Sequence, residues 1–131
     1  MPSIDEHIRA ALLRLLEGAG GDHDLGHEIY ADDAVLEFPQ SGERFVEKQN
    51  FLEWRRRYPA DVEFAVRRIL GSGELRTVET SVRYDGGEWQ YGVSIHEFRD
   101  QLMVRETIYW GPGWEAPEWR APWRATEPET R

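Results

Sequence analysis

Three places in the sequence bring together side chains that can move protons or hold a metal. The stretch IHEFRDQLMVRETIYW (95–110) carries His96 and Glu106 on two strands that meet at Asp100-Gln101. A His–Glu pair over one cavity is the equipment of general acid–base catalysis. The segment DHDLGHE sets His23 and His27 at i, i+4, a spacing at which one helix face can ligate a metal. Asp32 and Asp33 follow as adjacent carboxylates.

Two of these places have a plainer structural account. His23 and His27 lie on the exposed side of a short helix if Leu25 and Ile29 take its buried side. No Cys or further His is spaced to complete a site, so no metal is expected. Asp32 and Asp33 fall where a helix ends and a strand begins, where Asp caps or turns the chain. Glu37 alternates with Leu36 and Phe38 and so faces away from them.

The hairpin turns on register. A two-residue or four-residue loop pairs Phe98 with Met103, Glu97 with Val104, His96 with Arg105 and Ile95 with Glu106. This is the expected register, and it puts Glu106 on one face with Tyr91, Val93, Ile95, Val104, Ile108 and Trp110. His96 then shares the other face with Ser94, Phe98, Met103, Arg105, Thr107 and Tyr109. A three-residue loop or a bulge shifts the pairing by one and brings His96 opposite Glu106. Asp-Gln makes a poor type I′ turn because Gln resists positive φ, which leaves that alternative open. In both registers Glu106 lies among apolar residues. A carboxylate there loses hydration and either holds a proton or needs a cation beside it. Arg14, Arg55 and Arg67 are the candidate cations.

The elements that hold these residues follow from periodicity. Ser3-Ile4-Asp5-Glu6 is a capping box. Ile4, Ile8, Ala11, Leu12, Leu15 and Leu16 then form one helical stripe, ended by Gly18 and Gly20-Gly21. Asp22 opens a second short helix that runs to about Tyr30. A strand over 35–38, a turn at 39–42 and a short return strand over 43–45 come next. A third helix over 47–57 puts Phe51, Trp54, Arg55 and Tyr58 on one face, and Pro59 stops it. The period then changes to two, with stripes at Val62/Phe64/Val66, Val78/Thr80/Val82/Tyr84 and Trp89/Tyr91/Val93/Ile95. Turns at 71–73 and 85–87 separate them, and the hairpin completes a four-stranded antiparallel meander. In the tail, 111–131, Pro112, Pro117, Pro122 and Pro128 exclude regular helix or central strand. Trp114, Trp119 and Trp123 are too apolar to be idle, so the tail packs on the domain or on a partner subunit, with fraying after Ala125. Helices followed by a long meander make one α+β domain over 1–125, its helices on one face of the sheet.

Composition narrows the function. A net charge of −9 and a pI near 4.9 argue against nucleic acid, which needs clustered cations. Arg55-Arg56-Arg57 lies in a helical pattern beside Glu53 and Asp61 and reads as a solvated face. The absence of Cys excludes disulfides. No apolar run reaches membrane-spanning length and the first residues lack a secretory core, so a cytoplasmic location is expected. Six Trp, five Tyr and five Phe supply rigid lining for a core or pocket.

The segments GDHDLGHEIYADDAVLEFPQSG, WRRRYP and VRETIYWG resemble the nuclear transport factor 2-like superfamily, in its SnoaL-like and ketosteroid-isomerase-like branch. The likeness covers about residues 4–125. It implies three N-terminal helices packed in a strongly curved antiparallel sheet, a cone-shaped cystatin-like barrel. It also implies a deep apolar pocket and a homodimer through the outer sheet face. Ketosteroid isomerases carry an aspartate base where this chain has Phe38. Their oxyanion-hole tyrosine would fall at Arg14 and their protonated aspartate near Ser94. All three positions depart from the pattern, so that activity is rejected while the pocket is kept. Its last-strand lining would correspond to Glu106, Ile108 and Trp110.

The expected function is proton-transfer chemistry on a small, mostly apolar molecule, of isomerase, cyclase or dehydratase type. Glu106 would be the acid/base and His96 its partner if the register allows. Tyr30, Phe38, Trp54 and Trp110 would form walls, with Arg14, Ser94 and Ile108 also in the pocket. No metal or organic cofactor is implied. The rivals are a non-catalytic ligand-binding module and a dimeric interaction domain whose cavity its own aromatics fill. An unpaired Glu106 in an open pocket favours the enzyme, a Glu106–arginine pair favours binding or structure, and a Trp-filled cavity favours the third.

Overall fold

The computed structural model describes residues 3–17 and 23–125. The expected helix end at Gly18 and Gly20-Gly21, the Asp22 cap and the fraying after Ala125 lie outside the described residues. Helix α1 (Ile4–Glu17) opens on the capping box. The Glu6 amide donates to Ser3 Oγ at 3.1 Å, and the Ser3 amide donates to Glu6 Oε2 at 3.3 Å. Ile8, Leu12 and Leu15 of its stripe are buried, while Ile4 stays outside. Helix α2 (His23–Gly26) passes into a 3-10 turn, His27–Ile29. A Cβ at Gly26 would stand 3.2 Å from Leu15 Cα, so any larger residue there would push α2 and α1 apart by a few tenths of an ångström.

Strand β1 (Tyr30–Phe38) begins at Tyr30 rather than Val35, and Asp32 and Asp33 are exposed residues inside it. Strand β2 (Glu43–Val46), helix α3 (Lys48–Arg56) and strands β3 (Val62–Ser72), β4 (Leu75–Tyr84), β5 (Gln90–Arg99) and β6 (Leu102–Gly111) follow. The meander β3–β6 forms as the alternation predicts, but it is part of a six-stranded sheet ordered β2-β1-β6-β5-β4-β3. Because β1 runs parallel to β6, the sheet is mixed rather than antiparallel throughout. It is curved and its end strands do not meet, so the barrel expected from the resemblance is an open cone. The helices lie against its inner face, over a core that includes Leu12, Leu36, Phe51, Val78 and Met103.

The register of the last hairpin corrects the expected one. Asp100 (φ 51°) and Gln101 (φ 68°) both adopt the left-handed conformation, so the two-residue turn forms despite Gln. Arg99 faces Leu102 and Phe98 faces Met103, but Val104 is then left over and Glu97 pairs with Arg105. From there His96 lies opposite Glu106. The bulge lets Met103 and Glu106, three residues apart, both point inward, which strict alternation forbids. On β5, Ser94, His96 and Phe98 point inside and Tyr91, Val93 and Ile95 lie on the outer face, opposite to the expected assignment for that stripe.

The tail forms a 3-10 turn over Glu118–Trp123 that includes Pro122. Trp114, Trp119 and Trp123 are exposed, so they do not cover the sheet of their own chain. No helix among the described residues is long and apolar enough to cross a membrane.

Candidate functional site

Four elements converge on Glu106. The bulge in β6 turns it inward, β1 starts beneath it with Tyr30, β5 sets His96 across from it, and α3 lowers Arg55 from above. Glu106 is 3% exposed. Its Oε1 accepts from the Tyr30 hydroxyl at 2.5 Å and from Arg55 Nη2 at 3.4 Å. Its Oε2 stands 3.3 Å from His96 Nδ1.

Donor and acceptor chemistry orders this cluster into one directed chain. Arg55 can only donate. Its Nη1 therefore donates to Tyr30 Oη and to His27 Nε2, each at 2.9 Å. His27 must then carry its proton on Nδ1, which donates to the His23 carbonyl at 2.8 Å. At the other end, His96 Nδ1 faces two acceptors, Glu106 and Met103 Sδ, so it carries the proton. His96 Nε2 in turn accepts from the Ser94 hydroxyl at 2.7 Å.

The protonation states agree with that order. Burial, followed by the Arg55 charge, lowers the pKa of His27 to about 4, which keeps the ring neutral. Burial lowers that of His96 as well, against the opposing pull of Glu106. Burial raises the Tyr30 hydroxyl well above the usual phenol range, so it stays a donor. Burial works against the Arg55 charge, but Tyr30 and Glu106 outweigh it and hold the guanidinium protonated.

Above this floor lies a cavity of about 120 Å³. Glu106, Arg55, His27 and Ser94 reach its surface, and most of the rest is apolar. One wall is a run of aromatic contacts. Phe38 meets Trp110 edge-on at 5.1 Å between centroids, Trp54 leans on Phe38 at 6.0 Å and on Tyr58 at 6.4 Å, and Tyr58 stacks on Tyr84 at 5.8 Å. Gln40 fixes Trp110 by clamping its backbone N–H and C=O at 2.8 and 2.7 Å.

Of the residues singled out in the sequence, Glu106, Phe38, Trp54, Ser94, Ile108 and Trp110 line the cavity. Tyr30 and His96 are buried behind it, one layer from the opening. Arg14 is exposed and does not line it, because α1 turns Leu15 and Leu16 to the cavity instead. The expected exposure of His27 is also corrected. His27 is 3% exposed while Leu25 is on the surface, because the Arg55 and His23 bonds give the ring polar partners inside. The sequence reading missed His27, Tyr58 and Tyr84 as lining residues. For Tyr58 the signal was present, since it shares the face of α3 that carries Trp54 and Arg55. No group of three His, Cys, Asp or Glu side chains among the described residues is placed to hold a metal.

The chain's relatives share this fold. The family model described as the SnoaL-like domain matches residues 11–106. A structure of an NTF-2 like protein of unknown function from Burkholderia xenovorans LB400 is 40% identical, over 96% of this chain and 100% of that one, with a TM-score of 0.86. One from Kribbella flavida DSM 17836, named provisionally as a ketosteroid isomerase, is 27% identical over 95% and 93% of the two chains, with a TM-score of 0.81. An LEH-like epoxide hydrolase of M. tuberculosis shares the fold alone, at 18% identity over 82% and 83% and a TM-score of 0.67. No curated protein matches the sequence.

Proposed function

This chain belongs to the SnoaL-like domain family, within the nuclear transport factor 2-like superfamily, and we propose that its cavity binds a small, mainly apolar molecule without turning it over. The observation that carries this reading is the Arg55–Glu106 ion pair. A general base needs a lone pair free to take the substrate's proton. A carboxylate has roughly four acceptor sites, and here Tyr30, Arg55 and His96 take three of them across both oxygens, which leaves about one for a substrate proton. The tail tryptophans stay outside the cavity, which speaks against the plugged interaction domain.

Proton-transfer chemistry is the second reading, favoured by the direct His96–Glu106 contact. Calorimetry with small apolar ketones, paired with proton NMR in D2O, separates the two. Binding alone predicts saturable heat and α-proton exchange no faster than in buffer. Exchange accelerated by the protein and abolished in Glu106→Gln would replace the binding reading with the enzymatic one. On the outer sheet face, exposed Tyr91 and Tyr109 support pairing with a second copy. Sedimentation at micromolar concentration showing monomer alone would remove that pairing.

A further inference from the structure

Arg55 has more donors than the protein uses. A guanidinium carries five N–H groups. The two on Nη1 go to His27 and Tyr30, and one on Nη2 goes to Glu106. Nε–H and the second Nη2–H have no acceptor among the described residues. Arg55 nevertheless lines the cavity, with 18% of its side chain open. Trp54, beside it in the wall, has its indole N–H buried without a partner. The floor thus has N–H donors in excess, while the Glu106 oxygens are largely engaged.

The charge at the floor is balanced: Arg55 and Glu106 cancel, and His27 and His96 are neutral, while His23 is a further imidazole in the lining. A ligand carboxylate would add an uncompensated negative charge to a mostly apolar space, and an ammonium would meet Arg55 itself. The dimensions also limit the choice. An enclosed apolar cavity of roughly 150 Å³ takes benzene; this one measures about 120 Å³ and is open on one side, so a single ring is the most it surrounds. One wall is aromatic and carries the stacked Tyr58–Tyr84 pair, and Leu15, Leu16, Val62 and Val82 add aliphatic lining.

From these features we infer that the cavity takes an uncharged, single-ring molecule bearing one hydrogen-bond-accepting oxygen, which the spare N–H groups of Arg55 hold. This rests on the binding reading above and narrows it to a ligand class. The oxygen sits at the floor and the ring lies against the aromatic wall. Anything attached to the far side of the ring extends past Tyr58, which is itself exposed.

Calorimetry with three matched probes tests it: acetophenone, ethylbenzene and benzoate. Acetophenone binds at least about tenfold tighter than ethylbenzene, as expected for a bond to a charged donor, and benzoate binds more weakly than acetophenone. Arg55→Lys keeps the charge opposite Glu106 but removes the fork, and with folding checked by circular dichroism it brings acetophenone down to the level of ethylbenzene. Equal affinity of the wild type for acetophenone and ethylbenzene overturns the role of Arg55. Tightest binding of benzoate overturns the neutral ligand. Either result leaves the binding reading standing. Saturable heat from none of the three removes both.

Discussion

Arg105 and Glu106 are neighbours on β6, and each belongs to an arginine–carboxylate pair, but on opposite faces of the sheet. Outside, Arg105 reaches Glu37 at 2.8 Å, with side chains 50% and 21% exposed. Inside, Arg55 stands 3.4 Å from Glu106, with side chains 18% and 3% exposed. By distance the outer pair is the better one. By environment the order reverses, because water screens the outer charges and leaves the inner ones to depend on each other. Removing one partner inside strands a buried charge, whereas outside the remaining charge is hydrated.

The largest expected effect therefore belongs to Glu106→Gln. The shape is kept, Tyr30 can still donate to the amide oxygen, and the Arg55 charge loses its counter-ion. The expected loss is about 3 kcal/mol of unfolding free energy, the lower end of what breaking a buried pair costs. Urea unfolding reads it directly. A loss under about 1 kcal/mol would mean that water reaches Arg55 freely and that the two pairs are alike.

The next effect is on pH dependence. The pKa of His27 is lowered from 6.5 to about 4 in the fold. Between those values the unfolded chain takes up a proton that the native ring refuses, so stability falls as pH drops from about 6.5 to about 4. Above that window this residue contributes no slope. His96 is shifted in the same direction and adds to the effect. In His27→Gln the amide oxygen can still accept from Arg55, and the slope becomes shallower. Urea midpoints measured from pH 7 to pH 4 compare the two proteins. Parallel curves for wild type and variant would mean that His27 titrates alike in both states.

How much of this inner cluster the sequence makes legible differs from residue to residue. The helices, the meander and the inward face of α3 follow from apolar spacing, and their positions agree with the structure. Trp54 reaches the cavity from that face of α3, and Trp110 lines it as the family resemblance implies. The His96–Glu106 contact was one of two open registers, and the choice between them depends on a single unpaired residue, Val104. No local preference marks Val104 as a bulge. What selects it is the burial of Met103 and Glu106 together, a tertiary gain that alternation along one strand cannot express. His27 was misread for a related reason. An i, i+4 histidine pair looks like a polar face until Arg55, from a distant helix, supplies a partner inside. The β1–β6 pairing joins segments far apart in the chain with no turn between them to announce it.

The smallest effect lies on the outer face. Arg105→Ala removes the bond to Glu37 and a longer contact to Glu97 at 3.7 Å. Glu37 keeps Arg44 at 3.6 Å, and solvent reaches all of these charges. The expected change is under about 0.5 kcal/mol, smaller still in high salt. This holds for a single copy at low concentration. If two copies pair through this face, the same substitution acts on buried charges and its cost grows with protein concentration. Urea titrations at two concentrations a hundredfold apart therefore test the contrast from its weak side. A concentration-independent loss above about 1 kcal/mol would contradict it, because Arg105 would then behave within one chain as Arg55 does, without the burial that explains Arg55.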